Sequence, residues 1–207
     1  MRVRYLGWLA VTVLSAGCTD PAPLAPKSPP SVAAATIGTT ATPIQVYGSW
    51  HCGNDACTWA TVRDLTEFDN KNHWLIDRGD GRPSVNLVLL SFVHPYRLLQ
   101  KTNDAQTVNG VPRAMTPAII KYFADRGIRV MLSIGGITYV SAWNQALAEN
   151  ATQLGLNAAE VAQTLGVGIE IDYEENRSPN TAGLQAFINA YRSVLPYDAT
   201  GANHAAA

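Results

Sequence analysis

Apolar and polar residues follow two patterns along the chain, and these predict strands and helices in turn. Short apolar runs bounded by turn residues are typical of parallel strands, and an apolar residue at every second position is typical of a strand with two different faces. These patterns predict four strands, at residues 44–50, 84–93, 129–134 and 167–174.

Stripes of apolar residues at helical spacing follow the strands. Thr116 supplies a capping hydroxyl before Pro117, and Asn157 is followed by Glu160 at the spacing of a capping box. The predicted helices cover residues 58–68, 116–127, 157–165 and 181–194. Strands that alternate with helices at this spacing imply right-handed parallel units. We therefore predict an α/β fold with about four parallel β/α units.

The last predicted strand bears three carboxylates on one face. That face carries Gly168, Glu170, Asp172 and Glu174, and the other carries Ile169, Ile171 and Tyr173. Alternate side chains lie about 7 Å apart along a strand, and like charges that close disfavour joint ionisation. One acid can then hold a proton near neutral pH while the next stays anionic, as acid–base catalysis requires. A solvated edge strand and a divalent cation site are the alternative interpretations.

Two other motifs precede this strand in the chain. They are Tyr47-Gly48-Ser49-Trp50, in the first predicted strand, and Leu132-Ser133-Ile134-Gly135-Gly136, at the end of the third. Their order and spacing with the acidic strand resemble those of glycoside hydrolase family 18, the chitinases and endo-β-N-acetylglucosaminidases. The resemblance covers about residues 44–195.

The family signature is Asp-Gly-x-Asp-x-Asp-x-Glu, and three of its five positions match here. Gly168, Asp172 and Glu174 match, whereas Val167 replaces the first Asp and Glu170 replaces the middle Asp. The extra methylene of Glu170 predicts overpacking of about 1 kcal/mol or more in a crowded site.

The resemblance implies a (β/α)8 barrel and a substrate-assisted mechanism. Glu174 would protonate the leaving glycosidic oxygen, while the 2-acetamido oxygen of the substrate attacks the anomeric carbon. Asp172 would stabilise the resulting oxazolinium ion, and Glu170 would share a proton or charge with Asp172. The implied substrate is a β-1,4-linked N-acetylglucosamine polymer such as chitin, and no cofactor or metal is expected.

The resemblance also indicates residues that line the substrate site. These are Tyr47, Trp50, Phe92, Ser133, Gly135, Gly136 and Tyr173. Ser133 would leave room beneath the acids, and the paired glycines let the backbone approach a ligand closely. Taken singly, each aromatic residue is more often part of a core than a sugar platform. The Ser91-Phe92 bond matches a position at which family members carry a cis peptide.

Four predicted strands are half of the eight in such a barrel, so the resemblance implies a partial TIM-type barrel, strands one to four, in an incomplete or truncated product. In the family, later strands supply a Tyr that orients the acetamido group and a Trp beneath the sugar. Three functions therefore stay open: a hydrolase, an inactive chitinase-like binding protein or remnant, and a chain that assembles with another half. The retained Glu174 favours the hydrolase.

Charge and hydropathy set the remaining expectations about partners. The formal net charge is -1, from 15 Lys and Arg against 16 Asp and Glu, and no basic stripe is evident, which argues against nucleic acid as a partner.

Residues 1–18 have Arg2 and Arg4 before an apolar run and end in Leu-Ser-Ala-Gly-Cys, which resembles a bacterial lipobox with Cys18 as the lipidated residue. An ordinary cleaved signal is the alternative.

Residues 19–43 are rich in Pro, Ala, Ser and Thr, and such a segment predicts a disordered linker between the signal and a catalytic domain at residues 44–207. We expect an exported bacterial protein, either extracellular or held at the membrane only by the lipid. In that oxidising setting Cys52 and Cys57, with four residues between them, favour a disulfide over a metal site. The two thiols and the adjacent His51 would supply a metal with only three ligands, one fewer than a structural zinc site has.

Overall fold

The computed structural model describes residues 47–52 and 65–206, and for Cys52 only the backbone. The predicted signal and linker, with Cys18, lie outside the described residues. So do Cys57, and with it the predicted disulfide, and the start of the first predicted helix.

The described chain alternates strands and helices. The strands are β1 Gly48–Cys52, β2 Leu87–Val93, β3 Thr107–Val108, β4 Val111–Pro112, β5 Arg129–Gly135 and β6 Gly168–Asp172. The helices are α1 Leu65–Ile76, α2 Pro95–Leu99, α3 Pro117–Ala124, α4 Val140–Leu165 and α5 Thr181–Val194. Short 3-10 turns occupy Ile137–Tyr139 and His204–Ala206.

Four strands form one parallel sheet, in the order β1-β2-β5-β6. They correspond to the four predicted strands, so the predicted α/β class with parallel units is confirmed. Their register sets Cys52, Ser91, Ser133 and Glu170 side by side in one row across the sheet. The side chains of Ser91, Ser133 and Glu170 share one face, because neighbouring strands keep the pleat in phase.

The other face of the sheet forms the core with the helices. Alternate strand residues there are almost fully buried, including Val88, Leu90, Val130, Leu132 and Ile134. Large helix side chains cover them, namely Phe68, Phe123, Trp143 and Phe187, each 0% exposed. This apolar layer fixes the positions of the strands, and hence of the side chains on the opposite face.

A tight hairpin between β3 and β4 follows α2 and was not predicted. Its turn is Asn109-Gly110, and both residues have positive φ, 50° and 81°. Asn-Gly is the preferred pair for such two-residue turns.

The prediction that a helix begins at Asn157 is wrong. Helix α4 begins at Val140 and is kinked at Asn150, whose φ of -162° and ψ of 78° are not helical, so Asn157 lies inside its second segment, 2% exposed. Its side-chain amide donates to the carbonyl oxygens of Leu98 (3.0 Å) and Leu99 (2.9 Å) at the end of α2. The capping-box pattern at Asn157 therefore reflects tertiary hydrogen bonding rather than a helix start.

Two smaller differences concern the neighbouring helices. The first predicted helix ends at residue 68, whereas α1 continues to Ile76 and buries Leu75 and Ile76 in the core. Helix α2 was not predicted, although His94 caps it by accepting a hydrogen bond from the backbone N–H of Arg97.

The peptide bond between Ser91 and Phe92 is cis, as predicted. Among the helices of the described residues, none combines the length and the apolar character that a membrane span requires.

Candidate active site

The acidic residues lie at the carboxyl end of β6. Glu170 and Asp172 are on the face opposite the helical core, and Glu174 follows two residues after the strand ends. In β5, Ser133 pairs with Glu170 and Gly135 pairs with Asp172. The carboxyl ends of parallel strands are where α/β proteins build their sites.

Glu170 is half-buried and is held by two donors. The hydroxyl of fully buried Ser133 donates to Oε2 of Glu170, and the indole N–H of Trp50 donates to the same carboxylate. Burial raises the pKa of Glu170, and so do the charges of Asp172 and Glu174, while the two hydrogen bonds oppose that rise. Glu170 therefore fits beneath the other acids despite its longer side chain.

The contact between Trp50 and Glu170 shows that the sheet curls. Trp50 is on β1 and Glu170 on β6, with β2 and β5 between them. In a flat sheet those two strands would lie three spacings, about 14 Å, apart. Curling brings the two side chains together and makes the face that carries the acids concave.

Glu174 is exposed, yet its carboxyl group is coupled to Asp172. Desolvation of the carboxyl group raises the pKa of Glu174, followed by the charge of Asp172 and a hydrogen bond between the two carboxyl groups. The backbone N–H of Ile137 donates to Glu174 and opposes the rise. The charge of Asp172 and this hydrogen bond both favour the protonated form of Glu174.

The paired glycines give room for this arrangement. A Cβ on Gly135, which has φ of 122°, would lie 2.0 Å from the carbonyl oxygen of Asp172 and 2.3 Å from Nε1 of Trp143. That carbonyl accepts hydrogen bonds from the Gly136 N–H (2.9 Å) and the Trp143 indole (3.2 Å). The ring of Phe92 lies over Gly136, 3.2 Å from where a Cβ would be. Only glycine lets β5, β6 and α4 meet this closely.

The structure brings together most of the predicted site residues. Near the three acids lie Trp50, Phe92, Ser133, Gly135 and Gly136. Trp50 is 60% exposed and lines the concave face, whereas Phe92 is half-buried.

Two predicted residues lie elsewhere. Tyr47 is 61% exposed at the amino end of the sheet, directly before β1 begins at Gly48 and far along the strand from the row that contains Glu170. Tyr173 lies on the helix side, where its ring packs against Trp143 at 5.6 Å and its hydroxyl donates to Oδ1 of Asn144. We therefore leave both out of the candidate site.

Three residues around the start of α4, one in the 3-10 turn before it and two within its first five residues, belong to the site but were not predicted. They are Ile137, Trp143 and Asn144, which bind Glu174, Asp172 and the two neighbours of Glu174, respectively. From the sequence, the paired glycines indicate only that the backbone after them passes close to the acids. Nothing in its residue types indicates these contacts.

Metal binding is a further chemistry that three acids could support. Within residues 47–52 and 65–206, no group of three or more His, Cys, Asp or Glu is arranged to hold a metal ion. The arrangement suits proton transfer, because it combines a coupled carboxyl pair with an open concave surface.

Comparison with known proteins gives one distant structural likeness. No family model matches the sequence, and no curated protein matches it. A crystal structure of a chitinase from Rhizomucor miehei superposes with a TM-score of 0.47 and 16% sequence identity, over 73% of this chain and 44% of the chitinase. The chain thus spans less than half the length of that chitinase. At this TM-score and identity, the likeness carries no argument about function.

Proposed function

We propose that this chain carries the first four strands of a family 18-type (β/α)8 barrel and belongs to a hydrolase that cleaves β-1,4-linked N-acetylglucosamine polymers of the chitin type. The signature residues Gly168, Asp172 and Glu174, together with the Ser-x-Gly-Gly motif that ends β5, support this proposal. The curl of the four-stranded sheet is the shape that closure into a barrel requires.

The observation that carries the proposal is the placement of Asp172 and Glu174 together at the carboxyl end of β6, with their carboxyl groups hydrogen-bonded to each other. Because the pKa of Glu174 is raised, its carboxyl group retains a proton at a pH where an ordinary glutamate is ionised. A general acid needs that property, and Glu174 is exposed at the rim where a substrate can reach it.

In the proposed reaction, Glu174 gives its proton to the glycosidic oxygen as the bond from that oxygen to the anomeric carbon breaks. The carbonyl oxygen of the 2-acetamido group attacks the same carbon from the opposite face and forms an oxazolinium ion. The carboxylate of Asp172 accepts the acetamido N–H and balances the positive charge. A water molecule then attacks the anomeric carbon, and the Glu174 carboxylate takes its proton, so the configuration is retained.

Glu170 acts below the pair. Anchored by Ser133 and Trp50, it places a further carboxyl group near Asp172. Trp50 offers its exposed ring to a sugar on the concave face, in line with the way aromatic faces pack against apolar surfaces.

The test is hydrolysis of a fluorogenic chitobioside. We expect turnover by the unaltered protein and a loss of at least about 100-fold in kcat for Glu174→Gln, because general acid catalysis supplies about that factor. Glu67→Gln, on the outer helix α1, is the matched control and should keep full activity. A cellobioside, which lacks the acetamido group, should not be cleaved. Turnover that Glu174→Gln leaves unchanged would contradict the mechanism.

Binding without hydrolysis is the second candidate function, favoured by the two changed signature positions, Val167 and Glu170, and by the exposed ring of Trp50. It predicts that the unaltered protein and Glu174→Gln bind chito-oligosaccharides equally and that neither hydrolyses them. Calorimetry beside the activity assay separates the two functions.

We propose further that the chain is exported and acylated at Cys18, on the lipobox-like residues that end there. Growth in a bacterial host with a labelled fatty acid should label the protein, and Cys18→Ser should abolish the label. A labelled Cys18→Ser protein would contradict this site of acylation.

A further inference from the structure

The residues on either side of Glu174 are both held by one side chain. The amide oxygen of Asn144, on α4, accepts a hydrogen bond from the hydroxyl of Tyr173, and its amide nitrogen donates to Oε2 of Glu175 at 3.2 Å. Asn144 is half-buried, so both bonds are partly shielded from water. Building on the proposed function, we propose that Asn144 is a positioning residue that fixes the direction of Glu174 toward the concave face.

The contacts of three successive side chains explain how this clamp works. Tyr173 and Glu175 both bond to Asn144 on α4, whereas the carboxyl group of Glu174, between them, is hydrogen-bonded to Asp172 on the concave face. With both neighbours tied to one amide group, the backbone at Glu174 has little freedom to rotate. Glu174 then needs no contact of its own with Asn144.

The clamp extends into the loop that joins β6 to α5. The hydroxyl of Tyr173 accepts a hydrogen bond from the backbone N–H of Asn180 (3.0 Å), and Oε1 of Glu175 accepts from the backbone N–H groups of Arg177 (2.8 Å) and Ser178 (3.3 Å). The loop is therefore ordered by the same two side chains that Asn144 holds. Its amide protons report on the clamp directly.

The same end of α4 also fixes Asp172. The indole of Trp143, the residue before Asn144, donates to the Asp172 carbonyl oxygen at 3.2 Å. Neighbouring residues of one helix thus set the backbone at both members of the carboxyl pair. The distance between Asp172 and Glu174 is therefore set by α4 and not by the two flexible side chains alone.

The first test is independent of catalysis. In Asn144→Ala, we expect hydrogen exchange at the amides of Arg177, Ser178 and Asn180 to become at least about tenfold faster, because the residues that accept from them lose their anchor. Ser141→Ala, an exposed position three residues earlier on the same helix, should leave these rates unchanged. Unchanged exchange in a folded Asn144→Ala protein would overturn the proposal.

The second test measures Glu174 itself, by carbon-13 NMR titration of its carboxyl group. If Asn144→Ala lets Glu174 move away from Asp172, the pKa of Glu174 should fall toward its ordinary value. Asn144→Asp keeps the acceptor for Tyr173 but sets a negative charge against Glu175; because a like charge raises a carboxyl pKa, the pKa of Glu174 should fall less than in Asn144→Ala, or rise. A titration that both variants leave unaltered would overturn the proposal, since a merely structural role would not move this pKa.

The third test applies where the unaltered protein is active. A misdirected Glu174 should lower kcat by up to about 100-fold with little change in KM, and the alkaline limb of the pH profile should move to lower pH. Tyr173→Phe combined with Asn144→Ala should cost no more than the larger single effect, because both remove one clamp. Additive losses would overturn the assignment. If no variant or unaltered protein shows turnover, the hydrolase proposal fails while exchange and titration still judge the clamp.

Discussion

At the scale of single residues, the acids of the site differ through their surroundings. Glu170 is half-buried between two donors, whereas Glu174 is exposed but hydrogen-bonded to another carboxyl group. The pKa of each is raised, in both cases first by desolvation. Side-chain spacing along the strand indicated that these acids would interact. It did not indicate which donors would hold Glu170, because Trp50 comes from a strand that is distant in the sequence.

The raised pKa of Glu170 predicts a pH dependence of stability. In the unfolded chain Glu170 ionises with the ordinary glutamate pKa of 4.5, whereas the raised pKa in the folded protein keeps the proton bound to a higher pH. Between those two values unfolding releases a proton, so rising pH favours the unfolded state. Below that window both states bind the proton and Glu170 costs nothing. We expect the free energy of unfolding of the unaltered protein to fall, relative to Glu170→Gln, as pH rises through the window.

Urea unfolding of both proteins from pH 4 to pH 8 measures this difference. Subtracting the curve of the variant removes the contribution of surface carboxylates such as Asp77 and Asp80, whose pKa values are lowered and whose effect has the opposite sign. A difference that is flat with pH, or that grows in favour of the unaltered protein, would refute the prediction.

We expect Gly135→Ala to destabilise the protein strongly, because Gly135 lies where β5, β6 and α4 meet. Its Cβ would collide with the Asp172 carbonyl and the Trp143 indole, and φ is 122°. We expect a loss of at least about 3 kcal/mol, from overlap and backbone strain together. Gly79→Ala is the matched control, because φ there is 100° but nothing lies within 4 Å of a Cβ, so strain alone should cost about 1 kcal/mol. Equal losses by urea unfolding would show that the close approach is unimportant.

At the scale of elements, the strands were predictable and several helices were not. Residues such as Val88, Leu90, Leu132 and Ile134 form apolar runs because the strands are buried under helices, and burial leaves a direct record in the sequence. The start of α4 was missed because Asn157 and Glu160 have the spacing of a cap. That pattern cannot distinguish a side chain that caps its own helix from one that forms hydrogen bonds with a different helix.

The hairpin of β3 and β4 was not predicted, although the sequence contains a signal for it. Asn109-Gly110 between Val108 and Val111 is a strong local indication of a two-residue turn. Its strands have only two residues each, too few for an alternating pattern to stand out. Short elements of this kind are held by neighbours rather than by their own periodicity.

Asn157→Ala tests the tertiary role of the missed segment. The substitution removes the donors to the carbonyl oxygens of Leu98 and Leu99, which leaves buried acceptors at the end of α2 without those partners. We expect a loss of about 2 kcal/mol in the free energy of unfolding. Gln153→Ala, which removes only the donor to Asn157 itself, should cost well under half of that. Comparable losses in the two variants, measured in urea, would argue against the assigned role.

At the scale of the whole molecule, curling of the sheet separates two kinds of surface. The convex side is filled by helices, whereas the concave side carries the acids and the exposed ring of Trp50. Sequence periodicity predicted that the two faces of β6 differ. It could not predict the curl, which depends on contacts between the first and the last strand of the sheet.

This division predicts where a sugar polymer binds. Trp50 and Trp74 are similarly exposed, 60% and 53%, but Trp74 lies on helix α1, outside the concave face. Calorimetric titration of chitotriose into Glu174→Gln protein, in which turnover is blocked, should give at least about tenfold weaker binding for Trp50→Leu, since a lost aromatic contact costs about 1.4 kcal/mol. Trp74→Leu should bind as before. Trp50→Phe retains a ring but not the N–H that donates to Glu170, so it should keep most of the affinity if stacking dominates. Equal weakening by the two leucine substitutions would place binding away from the concave face, and with it the substrate away from the acids.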